Sequence, residues 1–282
     1  MSKVWLITGA GSGIGAGTAR AALRAGDRIV ATGRDLGKLR DAYGDVAGAN
    51  LALIKLDVTD EPQVAVAVEE AVAQFGQLDV VVNNAGYSLL GNFEECTTEQ
   101  IERQFAPNFW GVVHVLRAVL PILRRQRSGH IFNISSVAGV VGQAAVAAYG
   151  ASKFAVEGLS LAVAQEVEKF GIKVTVVEPG FFRTGLLDPK SVEWSSGHIE
   201  DYGPAGGIAA AWSVYDGKQP NDPAALGDVL VQIAGMEYPP KIFAAGGDAL
   251  DTITPVVEAR LAELRAHADL SRAAGGAFTT AS

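Results

Sequence analysis

Short apolar runs alternate with helical patterns along most of this chain, and the alternation limits the folds that it can adopt. Strand-like runs occupy residues 4–8, 28–32, 51–56, 78–82, 130–134, 173–177 and 241–244, and helical segments lie near 14–25, 35–43, 61–75, 98–126, 149–170, 223–235 and 251–268. Most of the runs are nearly continuous apolar stretches rather than alternating ones, which is typical of strands buried on both faces of a parallel sheet. The alternation predicts a doubly wound α/β fold, with a mostly parallel sheet of about seven strands flanked by helices.

Charge and cysteine content exclude several kinds of partner. The net charge of −8 argues against a nucleic-acid surface, because phosphate backbones are bound by clustered Lys and Arg. Cys96 is the only cysteine and the four histidines are scattered, so we expect no metal site. No signal-peptide pattern precedes the first strand and no uninterrupted apolar run reaches about 18 residues. We therefore expect a cytoplasmic protein with no nucleic-acid or membrane partner.

A glycine-rich turn follows the first strand, where residues 8–15 read TGAGSGIG and lead into a helix. Glycine lets the backbone turn tightly and approach a pyrophosphate, which the free N–H groups of a helix N-terminus also attract. Such a string is weak evidence in a chain with 33 glycines, but the strand before it and the helix after it strengthen the signal. The turn indicates a single Rossmann-like domain, which we place over residues 1–250. A helical extension over 251–272 and a disordered tail over 273–282 complete the chain.

The end of the second strand indicates which nucleotide is bound. A carboxylate that selects NAD is expected there, whereas this chain has Gly33 followed by Arg34. A guanidinium beside a position without a side chain suits a 2′-phosphate, which favours NADP(H). Two alternatives stay open, because the neighbouring Asp35 could serve NAD and Arg34 could be a solvated loop residue.

Tyr149 and Lys153 stand four residues apart in a predicted helix, so their side chains share one face. Moving the pKa of a tyrosine from near 10 to near 7 takes about 4 kcal/mol. One cation about 4 Å away supplies that much at an effective dielectric constant of 20. We therefore expect Lys153 to lower the pKa of Tyr149, although such a pair taken alone is more often a solvated pair on a helix surface.

Four further motifs accompany the glycine turn and the Tyr149/Lys153 pair. They are 56–58 (LDV), 83–86 (NNAG), 133–136 (NISS) and 179–184 (PGFFRT). With these motifs in order, the sequence resembles the short-chain dehydrogenase/reductase family over about residues 3–250, in its NADP(H)-preferring type. Its C-terminal region resembles that of bacterial relatives of 17β-hydroxysteroid and retinol dehydrogenases.

The resemblance implies a catalytic tetrad formed by Asn108, Ser136, Tyr149 and Lys153. Tyr149 would exchange a proton with the substrate oxygen, Ser136 would hold that oxygen, and Lys153 would grip the nicotinamide ribose. Asn108 would seat a water that links Lys153 to solvent.

Two neighbours complicate this tetrad. Pro107 directly precedes Asn108 and predicts a kink in the long helix, because proline removes a backbone donor. Ser135 competes for the serine role, but the family spacing of thirteen residues before Tyr149 selects Ser136.

The resemblance also implies the residues that hold the cofactor, NADP(H) by preference and NAD as the alternative. They are Gly9, Ser12, Gly13, Ile14, Gly15, Arg34, Asp57, Val58, Asn84, Ala85, Gly86, Tyr149, Lys153, Pro179, Gly180, Phe182 and Thr184. The segment 56–58 would touch the adenine ring, and the turn at 179–184 would face the nicotinamide. From the residues alone, Asp57 could be only a turn residue before the helix that Thr59 or Asp60 caps, and Asn83 and Asn84 could be only tight-turn residues.

The substrate site is expected in the loop 184–222 and in the turns after Gly86 and Ser136. Candidate lining residues are Tyr87, Ser88, Leu89, Val137, Gly142, Gln143, Phe181, Leu186, Trp194 and Tyr202. Most of them are apolar or aromatic, which favours a hydrophobic ketone, aldehyde or secondary alcohol. Trp194 and Tyr202 could instead pack a lid or contact another subunit.

Residues and resemblance together predict an NADP(H)-dependent alcohol dehydrogenase or carbonyl reductase that uses a tyrosine as acid and base. The alternatives are a ketoacyl reductase, a non-catalytic nucleotide-sensing protein, and an epimerase or dehydratase acting on nucleotide sugars. The intact Ser136, Tyr149 and Lys153 argue against a sensing role. Because the family commonly associates through its long helices, here near 98–126 and 149–170, we expect a homodimer or homotetramer.

Overall fold

A computed structural model describes residues 2–46, 48–188 and 191–275. Its strands are β1 (Val4–Ile7), β2 (Arg28–Gly33), β3 (Leu51–Lys55), β4 (Val80–Asn83), β5 (Ser88–Leu90), β6 (Gly129–Ile134), β7 (Ile172–Pro179), β8 (Val192–Trp194) and β9 (Ile242–Ala245). Its helices are α1 (Gly13–Arg24), α2 (Leu36–Tyr43), α3 (Glu61–Phe75), α4 (Thr98–Phe105), α5 (Gly111–Gln126), α6 (Ala147–Val167), α7 (Gly207–Ser213), α8 (Pro223–Gly235), α9 (Gly247–Ala266) and α10 (Ala268–Ala273).

Seven of these strands form one parallel sheet in the order β3-β2-β1-β4-β6-β7-β9. Leu6, in the middle of β1, pairs with Val30 on one side and with Val81 on the other. The order runs outwards from β1 to β3 and then reverses at β4, so the topological switch point lies between β1 and β4. The prediction of a single Rossmann-like α/β domain is confirmed, and ligands of such sheets bind in the crevice beyond the carboxyl ends of the strands at that point.

The two faces of the sheet each bury an apolar layer. Leu6 packs on one face with Val68 of α3 and Val119 of α5. Its neighbours Trp5 and Ile7 point to the opposite face, among residues of α1, α2 and α8. This alternation along a strand explains why β1 reads as continuously apolar, since both of its faces are buried.

Local capping fixes where several helices begin. Asp60 accepts a hydrogen bond from the backbone N–H of Gln63 at 3.0 Å and so caps α3, which ends at Gly76 with φ of 83°. Thr97 and Gln100 form a reciprocal capping box at the start of α4. These bonds satisfy amides that the helices themselves leave unpaired.

The structure differs from the predicted elements in three places. The predicted helix over 98–126 contains a π-helical turn at Ala106–Trp110, because Pro107 cannot donate the regular helical bond. The loop 184–222 contains α7 and also β8, which pairs with β5 in a separate two-stranded parallel sheet. The C-terminal helix begins at Gly247 rather than 251, and residues 276–282 of the predicted tail lie outside the described residues.

Length and composition alone would allow the helical stretch Thr98–Gln126 to cross a membrane. One face of this stretch lies in the core through Val112, Val115 and Val119. Burial against the sheet therefore accounts for its apolar character.

Candidate active site

The glycine turn after β1 lies at the carboxyl edge of the sheet and is packed too closely for side chains. A Cβ atom on Gly15 would lie 2.6 Å from the carbonyl oxygen of Gly9, and Gly9 and Gly13 have φ of 63° and 55°. Ser12 occupies the N-cap of α1 without a side-chain capping bond. The backbone at the start of α1 is thus approachable, as binding of a dinucleotide pyrophosphate requires.

Thr8 joins this turn to the turn after β4. Its hydroxyl accepts hydrogen bonds from the backbone N–H groups of Asn84 and Ala85, at 3.0 and 3.1 Å, and donates to the carbonyl oxygen of Val82 at 3.3 Å. The Asn84 side chain in return donates to the carbonyl oxygens of Thr8 and Gly9. The two predicted cofactor turns therefore form one hydrogen-bonded unit.

Arg34 and Asp35, which follow the end of β2, have different surroundings. Arg34 is exposed and makes no ion pair with any described residue. The carboxylate of Asp35 caps α2 by accepting bonds from the backbone N–H groups of Gly37 and Lys38. Lys38 is exposed beside the glycine turn, and its Cβ lies 3.8 Å from where a Cβ on Gly11 would be. Lys38 is not among the cofactor residues predicted from the sequence, although its place in the first turn of α2 was a usable signal.

The turn after β3 is ordered by local bonds. The carboxylate of Asp57 accepts bonds from the backbone N–H and the hydroxyl of Thr59, at 3.0 and 2.7 Å. The carbonyl oxygen of Val58 contacts His114 Nδ1 at 2.9 Å. Asp57 therefore has the turn role that the residues alone suggested, and this role leaves the backbone of the turn at the same edge of the sheet.

Ser136, Tyr149 and Lys153 meet beyond the ends of β6 and β7. Ser136 lies two residues beyond the end of β6, and its hydroxyl accepts a bond from the backbone N–H of Ala138 at 3.1 Å. Tyr149, in the first turn of α6, is only 9% exposed and hydrogen-bonds with the Ser136 side chain. The Lys153 ammonium donates to the carbonyl oxygen of Ile134 at 2.8 Å and lies 5.7 Å from the centre of the Tyr149 ring.

Burial governs the protonation of this group. It raises the pKa of Tyr149, and the hydrogen bond with Ser136 offsets that rise only in part. Burial also lowers the pKa of Lys153 to about 8, against the opposing effect of the Glu157 carboxylate. Burial therefore leaves the pKa of Tyr149 above its ordinary value, rather than near 7 as the sequence analysis expects.

Two buried carboxyl groups that the sequence analysis missed lie behind Lys153. Glu157, one turn further along α6, is 8% exposed, and its Oε1 makes no hydrogen bond within the described residues. Burial, with a smaller contribution from the nearby Glu178 carboxyl, raises its pKa to about 7 against the opposing effects of Ser135 and Lys153. The Ser135 hydroxyl donates to the carbonyl oxygen of Lys153 and faces Glu157 rather than Tyr149. Ser136 is thus the serine that reaches the phenol.

Asn108 is buried in the π-helical turn and fixes the loop after β4. Its Oδ1 accepts a bond from the backbone N–H of Tyr87 at 3.1 Å, and its Nδ2 donates to the carbonyl oxygen of the same residue at 3.0 Å. A Cβ on Gly86 would lie 2.8 Å from Asn108 Oδ1. The side chain of Asn108 therefore positions this loop, which the sequence analysis did not foresee.

The turn after β7 is held by Asp248 from the start of α9. The Asp248 carboxylate accepts bonds from the backbone N–H of Phe181 at 2.7 Å and from the Asn221 amide at 2.6 Å. A Cβ on Gly180 would lie 2.4 Å from this carboxylate, which explains the glycine. Thr184 lies against the glycine turn, with Cγ2 3.0 Å from where a Cβ on Gly13 would be. The Phe182 side chain, predicted to bind cofactor, packs in the core instead, so only its backbone is available there.

A cleft of about 340 Å³ opens beside the turn after β7 and is lined by Gln143, Phe181, Ala211, Trp212 and Tyr215. The rings of Phe181, Trp212 and Tyr215 lie with centres 6.0–6.2 Å apart. Trp212 also packs against the apolar cluster that contains Tyr149. The sequence analysis predicted Gln143 and Phe181 but missed Trp212 and Tyr215, whose spacing of three in a segment rich in alanine was the available signal.

Three other predicted lining residues, Val137, Trp194 and Tyr202, do not line this cleft. Val137 is buried against Ala249 and Ile253, away from the cleft. Trp194 packs on the cluster around Tyr149, whereas Tyr202 is half exposed and hydrogen-bonds with Glu94. The position of Trp194 agrees with the packing role that the sequence left open.

Comparison with known proteins identifies the family. A family model for short chain dehydrogenases matches residues 3–193. The oxidoreductase BOA17 of Botryotinia fuckeliana is 37% identical over 258 residues, covering 89% of this chain and 91% of that protein. The 3-ketodihydrosphingosine reductase of Bacteroides thetaiotaomicron is 38% identical over 244 residues, covering 84% and 86%.

Solved structures agree with this match. The crystal structure of a short-chain dehydrogenase from Streptomyces avermitilis has a TM-score of 0.87 and 37% identity, and the match covers 97% of this chain and all of that one. A relative from Burkholderia phymatum, solved in complex with NAD, has a TM-score of 0.78, 25% identity and coverage of 96% and 95%. ElxO, solved with NADP bound, has a TM-score of 0.74, 28% identity and coverage of 89% and 100%. With its fold, its ordered motifs and these matches, the chain belongs to the short-chain dehydrogenase/reductase family of oxidoreductases.

Proposed function

We propose that this protein is an NADP(H)-dependent oxidoreductase that interconverts a hydrophobic ketone or aldehyde and its alcohol. The observation that carries the proposal is the buried hydroxyl of Tyr149, which hydrogen-bonds with Ser136 and lies beside Lys153. These groups stand at the same sheet edge as a glycine turn whose backbone suits a dinucleotide.

The protonation of Tyr149 favours the reductive direction. Since burial raises the pKa of Tyr149, the phenol keeps its proton throughout the neutral range. Reduction of a carbonyl requires a proton for the developing alkoxide, and a neutral phenol can give it, whereas alcohol oxidation requires the phenolate as base. Bound NADPH would supply the hydride. We therefore expect carbonyl reduction near pH 7 and alcohol oxidation mainly at alkaline pH.

The other members of the tetrad have supporting roles in this proposal. Ser136 hydrogen-bonds with the same phenol, so it stands where a carbonyl oxygen approaching Tyr149 would arrive. Lys153 is held by the carbonyl oxygen of Ile134, with further N–H donors left for the ribose hydroxyls of the cofactor. Asn108 holds the loop after β4 in place through Tyr87.

Three observations support NADP(H) over NAD. Arg34 has no acidic partner among the described residues, the Asp35 carboxylate is already bonded to α2, and Lys38 adds a second cation near Gly11. A 2′-phosphate beside these two cations would be favourably placed, whereas an NAD ribose would need a free carboxylate. Because similar proteins have been solved with either nucleotide, NAD stays the alternative.

The cleft supports a substrate with a ring or another bulky apolar group. Its three aromatic rings offer apolar faces that a planar group can stack against, and Gln143 adds one amide. Trp212 links the cleft to the cluster around Tyr149. A ketoacyl reductase is the alternative, and one relative is named as a reductase of 3-ketodihydrosphingosine.

The protein is also proposed to be a cytoplasmic homodimer or homotetramer. Exposed apolar side chains lie on or beside the two long helices, at Trp110, Phe154 and Leu161. Pairing of these faces would bury them, as in other members of the family.

A coupled absorbance assay tests the proposed function. Purified protein is mixed with NADPH or NADH and with a panel of aryl ketones, aliphatic ketones, aldehydes and 3-ketoacyl thioesters, and nucleotide oxidation is followed at neutral pH. We expect oxidation of NADPH with aryl or other bulky ketones. Silence with both nucleotides across the panel, combined with tight nucleotide binding, would instead support the nucleotide-sensing alternative.

Tyr149→Phe is the matched variant for this assay. It removes only the hydroxyl, so we expect turnover to fall by about a thousandfold or more, since general acid catalysis typically contributes 10²–10⁴-fold. NADPH affinity, measured by fluorescence titration, should stay within about twofold. Substantial residual turnover would mean that another group supplies the proton.

A further inference from the structure

The last long helix leaves the body of the protein after about two turns. α9 is anchored by Ala249 and Ile253, which are buried against Val137. From residue 254 to residue 267 every side chain is exposed. A free helical segment of this length is marginal in water, so a stable helix here requires a contact outside this chain's own fold.

The free part of α9 carries an apolar stripe. Val257, Leu261 and Leu264 are 51%, 46% and 62% exposed. At about 100° per residue, they lie within an arc of roughly 60° on the helix. This spacing is typical of a helix face that packs against another helix.

Charged residues flank the stripe in a self-complementary order. Glu258 and Arg265 lie on one flank, and Arg260 and Glu263 lie on the other, when the same helical angle is applied. None of these four residues makes an ion pair within the described chain. Their charges are therefore available to a neighbouring molecule.

We propose that the free part of α9 pairs antiparallel with the same segment of a second copy of this chain. With a twofold axis between Leu261 and Ala262, Glu258 faces the partner's Arg265. On the other flank, Arg260 lies level with the partner's Glu263, but Glu263 lies about 130° around the helix from the centre of the stripe and so further from the partner. The same alignment interleaves Val257, Leu261 and Leu264 with their counterparts, so the stripe is buried and the Glu258–Arg265 ion pair forms twice beside it.

The charge order excludes the parallel arrangement. In a parallel pair, a residue on one flank meets the partner's residue about five positions further along. Arg260 would then meet the partner's Arg265, and Arg265 would meet the partner's Arg260. Both contacts bring like charges together, which makes the antiparallel pair the favoured one.

A membrane surface fits this segment less well than a second copy. Helices that lie in a membrane interface are rich in Lys and Arg and carry Trp, Phe or Leu on the apolar face. Residues 254–266 contain two Glu and two Arg and no aromatic residue, so their net charge is zero.

Charge reversal tests the pairing on the full chain. The oligomeric state of Glu258→Arg, Arg265→Glu and the double variant is measured by sedimentation velocity over a range of protein concentrations. Each single reversal turns two symmetry-related attractions into repulsions, so we expect the dissociation constant of this interface to rise by about tenfold or more. The double variant should recover the association of the wild type. Glu70→Arg, which makes the same charge change on the exposed face of α3, is the control and should have no effect.

Cysteine crosslinking tests the alignment directly. In a Cys96→Ser background, Leu261→Cys places two thiols beside the twofold axis and should give a disulfide-linked dimer on mild oxidation. Glu258→Cys should not crosslink to itself, because the two thiols then lie about 10 Å apart along the axis. A mixture of the Glu258→Cys and Arg265→Cys proteins should crosslink between the two variants.

Two outcomes would overturn the proposal. One is an oligomeric state that the single reversals leave unchanged at every concentration, whether or not the helix then binds vesicles of anionic lipid. The other is self-crosslinking of Glu258→Cys as efficient as that of Leu261→Cys, which would indicate parallel pairing. Circular dichroism of each variant separates these outcomes from loss of the fold.

Discussion

Replacing Thr8 with valine is expected to loosen the two cofactor turns at the carboxyl edge of the sheet. The substitution keeps the shape of a buried side chain but removes the hydroxyl that accepts two backbone N–H groups and donates to one carbonyl. Among the described residues, the N–H groups of Asn84 and Ala85 then have no acceptor.

The expected loss follows from these unpaired donors. Each buried N–H without an acceptor costs about 1–3 kcal/mol. Asn84 and Ala85 are half-buried, so water partly replaces the hydroxyl and the lower end of this range applies to each. Thr8→Val should therefore lower the free energy of unfolding by about 2 kcal/mol. For a domain of this size, that corresponds to a fall in Tm of about 4–8 °C.

Thr32→Val is the matched control. Thr32 is also fully buried, but its hydroxyl only donates to the carbonyl oxygen of Ile7 at 3.1 Å. Its removal leaves no N–H unpaired, so the loss should be about 1 kcal/mol or less. Both variants are compared by calorimetry and by NADPH titration, in which only Thr8→Val should weaken binding. Equal falls in Tm for the two variants would refute the reasoning that the unpaired amides set the cost.

Three further predictions concern the site. Arg34→Asp should shift the ratio of kcat/KM for NADPH and NADH toward NADH by about tenfold or more, because a carboxylate repels a 2′-phosphate; an unchanged ratio would remove Arg34 from the phosphate site. Glu157→Gln should move the alkaline limb of the pH profile of kcat/KM to lower pH. The Glu157 carboxylate raises the pKa of Lys153, which is about 8, so the variant's ammonium loses its proton at lower pH. An unchanged alkaline limb would show that Lys153 does not control it. Trp212→Ala should raise KM for aryl ketones by about tenfold, whereas Tyr202→Ala, an aromatic residue outside the cleft, should leave KM unchanged; equal effects would place the substrate elsewhere.

Most of the sheet could be predicted from the sequence because its strands are buried on both faces. β1 and β4 read as almost unbroken apolar runs, and the parallel order followed from the helices between the strands. β5 and β8 could not be predicted this way, since three residues are too few to show a period. Their pairing arises from tertiary contact between distant segments.

Site residues could be predicted where the chemistry requires a particular residue type. They could not be predicted where packing determines the position of the side chain. Ser136, Tyr149 and Lys153 lie together as their spacing implied. Phe182 was predicted to bind the cofactor because of its motif, but its apolar ring packs in the core. The pKa of Tyr149 also escaped prediction, because burial depends on the whole fold whereas the spacing reveals only the neighbouring cation.

The bond between Asp248 and the backbone of Phe181 has a consequence for the order in which this enzyme is made. The two residues are 67 positions apart, and the Asn221 amide joins the same carboxylate. During synthesis the chain emerges from its N-terminus at about 5–20 residues per second. The turn after β7 is therefore synthesised several seconds before the Asp248 carboxylate that binds it. A nascent chain that stops before residue 248 would hold every predicted catalytic residue and still lack the clamp that fixes this turn.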